Sequence, residues 1–182
     1  MSEDDVPAAA RVAAGKNGAA GRRPPRKVTS AYLERYASSS ENLRRVLRRK
    51  IDTRCRLRGE DAAEFHPLID DVLTKALRMG LVDDARYAQA KVATLRRRGG
   101  STRAIQAKLS AKGVDRATIA TVLEGEDGDD AAAAQAFARR RKLGPYRPGD
   151  RAHSREKDLA ALARAGFSYG VARSVVDGER AD

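Results

Sequence analysis

The sequence predicts an all-α protein of tandem three-helix modules. Three repeats would form an elongated curved rod behind a disordered basic N-terminal tail. Three observations carry that expectation. Apolar residues recur at helical spacing between Ser or Asp starts and Gly stops over most of the chain. The pattern Asp83-Asp84-Ala85 with Ala88-Gln89-Ala90 returns as Asp129-Asp130-Ala131 with Ala134-Gln135-Ala136, about 46 residues later, and such a period marks stacked structural units. Aromatic residues are only 4% and Trp is absent, so a core must be built from Leu, Val, Ile and Ala, which suit helix-on-helix packing.

Residues 1–28 are rich in Ala, Gly, Pro and basic residues without periodicity, and this composition reads as a disordered leader. The first module, 29–82, contains "SSSENLRRVLRRKI", where Ser40 is the expected N-cap and Leu43, Val46, Leu47 and Ile51 form one stripe. A second stripe follows over His66 to Met79, with Leu68, Ile69, Val72, Leu73, Ala76 and Leu77, and Gly80 closes it.

The second module, 83–125, opens on Asp83 or Asp84 as cap, both favourable at the positive end of a helix dipole, followed by Ala88, Val92 and Leu95. Gly99-Gly100 ends that helix, and Ser101 starts another that buries Ile105 and Leu109. At Lys112-Gly113-Val114-Asp115, Gly113 takes the left-handed position, Val114 packs back and Asp115 caps the next stripe, Ile119, Val122 and Leu123. The third module, 128–178, repeats this grammar: Leu162, Gly166, Phe167, Ser168 and Val175 align with Leu109, Gly113, Val114, Asp115 and Val122. Ser154, after a basic loop from Pro145 to His153, is the expected counterpart of Ser101. No module holds more than about ten sizeable apolar residues, too few for a core alone below roughly 50 residues, so neighbours should share contacts.

The 182 residues carry 37 Lys+Arg against 25 Asp+Glu, a net charge of +12, which favours polyanionic partners or an acidic protein surface. Cys55 is alone, which excludes an internal disulfide and fits a reducing compartment. His66 and His153 lack zinc spacing, and the adjacent carboxylates have no His, further acidic cluster or Gly-rich loop beside them. They therefore read as helix-start residues, and no catalytic, cofactor-binding or metal-binding residue is assigned. No apolar run approaches the roughly 20 residues of a membrane span, and the first residues lack a signal-peptide core. A soluble cytoplasmic protein without membrane contact is expected.

The basic runs are the informative feature. Arg44, Arg45, Arg48 and Arg49 lie opposite Leu43 and Leu47, with Glu41–Arg45 and Arg48–Asp52 as i,i+4 pairs. Arg96-Arg97-Arg98 and Arg139-Arg140-Arg141 end corresponding helices, where cations also suit the dipole. Residues 83–125 hold nine basic against four acidic side chains, making this module the electrostatic focus. The candidate contact strip is Arg86, Lys91, Arg96, Arg97, Arg98 and Arg103, extended by Arg44, Arg48, Arg139, Arg140 and Arg141.

At these residues the chain resembles the RecX family, bacterial regulators of the RecA recombinase. The likeness lies in "GLVDDARYAQAKVATLRRRGGSTRAIQAKLSAKGVDRATIATVLEG", in "YLERYASSSENLRRVLRRKI" and in "LARAGFSYGVARSVV". The stretch 52–64 departs by being longer and more charged than usual, and the leader is extra. The resemblance implies a non-enzymatic modulator, without cofactor, that binds RecA and its filament on single-stranded DNA and restrains ATP hydrolysis, strand exchange and coprotease activity. Such a protein is expected to act as a monomer, with direct DNA contact left open. The rival reading is a helix-turn-helix DNA-binding protein, which would place one recognition helix in a major groove and usually dimerise. A weaker alternative is a helical adaptor for another acidic protein.

Overall fold

Helices account for most of the described backbone because each stretch between two turns carries its own start, stripe and stop. The structure, a computed structural model, describes residues 26–126 and 129–179, with side chains from Thr29. The expected disordered leader lies outside the described residues up to residue 25, and its last residues already belong to the first helix. Nine α-helices and no strand occur among the described residues: α1 Arg26–Leu33, α2 Ser40–Arg58, α3 His66–Arg78, α4 Asp84–Arg97, α5 Thr102–Ala111, α6 Arg116–Glu124, α7 Asp130–Arg141, α8 Arg151–Arg164 and α9 Tyr169–Asp177. They group in threes around separate apolar clusters.

Local capping sets the boundaries. Asp83, Ser101, Asp115, Asp129 and Ser168 each accept the backbone N–H three residues on. Two expected caps move. Ser39, not Ser40, caps α2, because its extended backbone aims Oγ at the Asn42 N–H. Asp150, not Ser154, caps α8, so His153 and Ser154 lie within the helix rather than after a basic loop. The charged stretch 52–64 resolves into the last turns of α2, which bury Cys55 below Ile51, and a 3-10 turn, Ala62–Phe65, which buries Phe65 in the same cluster. Asp52 pairs with His66 at 3.5 Å rather than with Arg48.

The first cluster joins Leu43, Leu47, Ile51 and Cys55 of α2 to Phe65, Ile69, Val72 and Leu73. The second holds Tyr87, Ala88, Val92, Ile105, Leu109, Val114, Ile119 and Val122. In the third, α7 turns only small side chains fully inward, Ala133, Ala134 and Ala138, and bulk comes from Leu159, Leu162 and Phe167. Phe137 meets Phe167 edge-on, with ring centroids 5.9 Å apart. The longer α7–α8 link is pinned by Asp158, only 1% exposed, which accepts from the Gly144 N–H at 2.8 Å and from the Arg147 guanidinium.

The groups are joined by one device used twice. The N-cap hydroxyl of one group's middle helix donates to the carbonyl that closes the next group's middle helix: Ser39 to Lys112, and Ser101 to Ala165 at 2.7 Å. Beside each contact, the second carboxylate of the Asp-Asp pair accepts from the residue after that cap. Asp84 takes the Ser40 N–H at 2.7 Å and its hydroxyl at 2.6 Å; Asp130 takes the Thr102 N–H at 2.8 Å and its hydroxyl at 2.7 Å. The first aspartate of each pair caps its own helix, and the second fastens that helix to the preceding group.

This approach needs glycine at the helix stop. Gly113 and Gly166 have φ of +77° and +94°, and a Cβ would run into Glu41 at the first and lie 2.6 Å from Ser101 Oγ at the second. Gly59 closes α2 with φ +65° but faces open space. A matched pair of substitutions separates backbone strain from the joint. Gly59→Ala should cost about 1 kcal/mol, the strain of a left-handed non-glycine residue, whereas Gly113→Ala should cost about 2–3 kcal/mol because α2 must also shift. Urea unfolding of both variants checks this, and equal losses would show that the close approach contributes nothing.

Candidate functional site

Helix α4 is the axis of the basic region. Its buried side, Tyr87, Ala88 and Val92, fixes which charged residues face outward. Arg86 and Arg97, eleven residues apart, stand about 20° from each other around the axis and roughly 16 Å apart along it. Both are exposed, with the small exposed residues Ala90 and Ala93 between them.

Two members of the predicted strip are elsewhere. Lys91 sits about 140° round from Arg86, and its ammonium lies 5.8 Å from the Tyr87 ring centroid. Arg96 is withdrawn into the joint, its side chain 11% exposed, held by Asp130 at 2.6 Å, Glu126 at 3.2 Å and Thr102 Oγ1 at 2.7 Å. A guanidinium so occupied does not offer its donors to a partner. Burial pushes the Asp130 carboxyl up, but hydrogen bonds from Arg96 and from the Thr102 backbone and hydroxyl, with the charge of Arg96, outweigh it and hold the group below its ordinary 3.8. Arg44 is likewise engaged, by Asp70 at 3.2 Å and Glu41 at 3.6 Å. Arg48 is exposed on α2, and Arg103 stands on α5 with its Cβ against the Gly166 turn.

What the structure does bring together are the ends of α4 and α7. Arg97 and Arg98 from the second group, and Arg139 and Arg140 from the third, frame a groove of about 420 Å³ floored by Ala132, Gln135 and Ala136. Among the described residues no carboxylate forms an ion pair with Arg97 or Arg98. Arg139 lies 5.5 Å from the Tyr146 ring centroid and Arg140 5.9 Å from that of Phe137, so an aromatic face steadies each. Arg141, also against Phe137, turns into a second groove with Arg164, Leu143 and Ala161.

Gly99 makes the first groove narrow. Its φ of +74° turns the chain, and a Cβ there would lie 2.5 Å from the Phe137 backbone nitrogen and 2.8 Å from the Ala133 carbonyl. The backbone of α7 thus passes directly over the end of α4, and two arginine pairs that are 42 positions apart meet across alanines. Sequence reasoning identified those four arginines but missed their alanine floor. The only signal for it was the run "DAAAAQA", whose small residues permit close helix approach. The whole is a concave, cationic, shallow surface suited to a chain of negative charges. Among the described residues no group of His, Cys, Asp and Glu could hold a metal ion, and no helix is long and apolar enough to cross a membrane.

Comparison with known proteins adds to this geometry. A family model described as RecX, second three-helix domain, matches residues 83–123, the stretch from the cap of α4 into the last turn of α6. A regulatory protein RecX of Myxococcus xanthus is 40% identical over 169 residues, covering 86% of this chain and 90% of its own length. Proteins of the same name from Agrobacterium fabrum and Mycobacterium ulcerans are 33% and 38% identical over 147 and 141 residues, covering 77% and 82% of their own lengths. No solved structure matches the chain.

The joint that sets the groove should respond to pH. Because the folded pKa of Asp130 is depressed, its contribution is complete above the unfolded carboxylate value, about pH 4, and is lost as pH falls through the lower folded value. Asp130→Asn should lower stability by about 1–2 kcal/mol at pH 7, and the gap to the native protein should close towards pH 3. Urea midpoints at the two pH values measure this. A variant as stable as the native chain at pH 7 would remove Asp130 from the joint.

Proposed function

The chain belongs to the RecX family of regulatory proteins, and on that premise we propose that it binds the RecA recombinase and its filament on single-stranded DNA and restrains it. Binding lowers ATP hydrolysis, strand exchange and coprotease activity, and so regulates DNA repair and recombination in the cytoplasm during the SOS response. It acts as a monomer by occupancy alone, with no cofactor and no bond made or broken. The observation that carries this reading is the groove where Arg97, Arg98, Arg139 and Arg140 converge from two neighbouring helix groups. A cationic surface that spans a joint can follow an extended acidic face or a phosphate backbone, which a single isolated patch cannot.

The contact surface is the groove together with Arg86 and Arg103, which continue it along α4 and α5. Lys91 and Arg48 are exposed outside it, while Arg96 and Arg44 hold the scaffold. Direct contact with DNA is the narrower alternative within this reading. Titrating RecA ATPase on single-stranded DNA tests the whole, and turnover should fall at well below one copy per recombinase subunit. No effect at equimolar addition of folded protein would reject the function.

The site is tested by charge reversal. Arg97→Glu with Arg139→Glu should weaken filament binding about tenfold near 50 mM salt, and the difference should shrink as salt rises. Arg54→Glu with Arg56→Glu, the same change in net charge on the exposed end of α2, should have a much smaller effect. Equal losses in the two variants would mean that net charge alone governs binding.

A further inference from the structure

Aromatic side chains are scarce in this chain, yet three of its five tyrosines meet at the joint between the first two helix groups. Tyr32 of α1 and Tyr36 just beyond it lie ring against ring, with centroids 5.2 Å apart and planes tilted by 39°. The Asn42 amide fixes Tyr32, donating to its hydroxyl at 3.2 Å and to Ser38 Oγ at 2.7 Å. Burial, then the neighbouring Tyr32 and Asp84, push the Tyr87 phenol of α4 above its ordinary 10, so Tyr87 lies across the joint from the pair. Tyr87 is buried and Tyr32 half-buried, whereas Tyr36 keeps 56% of its surface open. An open ring backed by a fixed one loses little freedom when a third flat group stacks on it.

The surroundings of that ring are cationic. Arg35 precedes it and is exposed, and the Lys112 ammonium donates to the Asn42 side-chain oxygen at 3.4 Å. On α4, Tyr87, Lys91, Thr94 and Arg98 stand at i, i+4, i+7 and i+11, within about 60° of one another around the axis. Lys91 holds its ammonium 5.8 Å from the Tyr87 ring centroid. Arg98 ends the row about 16 Å along the helix from Tyr87, the length of about five nucleotides in a stacked strand. Among the described residues no carboxylate pairs with Arg35, Lys91 or Arg98, while Glu41 is held by Arg44 and Arg45 and Asp84 by Ser40. Glu34 is exposed, but the helical path continues through Tyr36 and turns it about 160° away.

We propose that Tyr36, backed by Tyr32, stacks on a base of single-stranded nucleic acid whose phosphates run along Lys91 and Arg98. An apolar protein segment would strip water from these unpaired cations, whereas a single strand neutralises them and brings a flat base to the ring. A duplex keeps its bases in the stack, so the ring favours single strands. Such binding needs no recombinase, and the function proposed above needs no contact with a base, so the two stand or fall separately.

Fluorescence anisotropy tests this with two labelled strands of about 15 nucleotides, oligothymidine and an abasic sugar-phosphate chain, at about 50 mM salt. Tyr36→Ala should weaken oligothymidine binding about five- to tenfold and leave the abasic strand unaffected, because a stacking face is lost and no charge changes. Tyr36→Phe keeps the ring and should keep the affinity. Lys91→Gln with Arg98→Gln should weaken both probes alike and reduce their salt dependence. Tyr169→Ala removes another strongly exposed ring, on α9, and should have no effect. The urea midpoint of Tyr36→Ala should barely move, since the ring it deletes is mostly in solvent. Native affinity of Tyr36→Ala for oligothymidine, or an equal loss on the abasic strand, would overturn the stacking. Weaker recombinase binding by Tyr36→Ala with oligothymidine affinity unchanged would make the ring a protein contact instead. Failure of the native chain to bind either strand would overturn this site and leave the function proposed above to its own titration.

Discussion

A hydroxyl-capped helix N-terminus receiving the carbonyl end of the next group's middle helix is the contact on which the remaining structure depends. Ser39 and Ser101 each satisfy two obligations at once. Each Oγ accepts an unpaired first-turn N–H of its own helix and donates to the Lys112 or Ala165 carbonyl of its neighbour. Both serines are fully buried, so a lost partner would leave a buried polar group unpaired. None of the three clusters is large, and these joints combine them into one cooperative body where apolar contact alone would be thin.

The device is used only between groups among the described residues. Gly59 closes α2 in the left-handed conformation used by Gly113 and Gly166, yet none of the described residues lies against it. The middle helix of the third group is capped by Asp150 instead of Ser. A carboxylate accepts the first-turn N–H but has no proton to donate to a carbonyl, so Asp150 cannot make the contact that Ser39 and Ser101 make.

Charge is divided between two tasks by burial. Arg96, Arg147 and Arg44 sit among carboxylates and hold helices together, whereas Arg97, Arg98, Arg139 and Arg140 are exposed on either side of the second joint. Arg96 and Arg97 are neighbours in the chain, yet a rotation of about 100° along the helix sends one into the joint and the other to solvent. The groove is therefore a by-product of the joint. Asp130 and Arg96 draw the start of α7 towards the end of α4, and Gly99 lets the backbones pass closely enough to align the two arginine pairs.

Local features were legible in the sequence because their causes lie within four residues. The caps at Ser101, Asp115 and Ser168, the stop at Gly113 and the stripes of α2, α4 and α5 follow from spacing alone, whereas spacing left the cap open between Asp83 and Asp84. At the start of α2 spacing pointed to Ser40, but the cap is Ser39, whose hydroxyl also reaches Lys112. The arginine runs were visible too, but not which arginines were committed. Asp84 and Asp130 bind residues 44 and 28 positions away, and Ser101 binds one 64 positions away. By itself the sequence determined the helices, their repeat and an excess of positive charge. Tertiary structure alone decided which carboxylates fasten one group to the next and which guanidiniums stay exposed, because burial and pairing depend on surfaces brought together from distant parts of the chain.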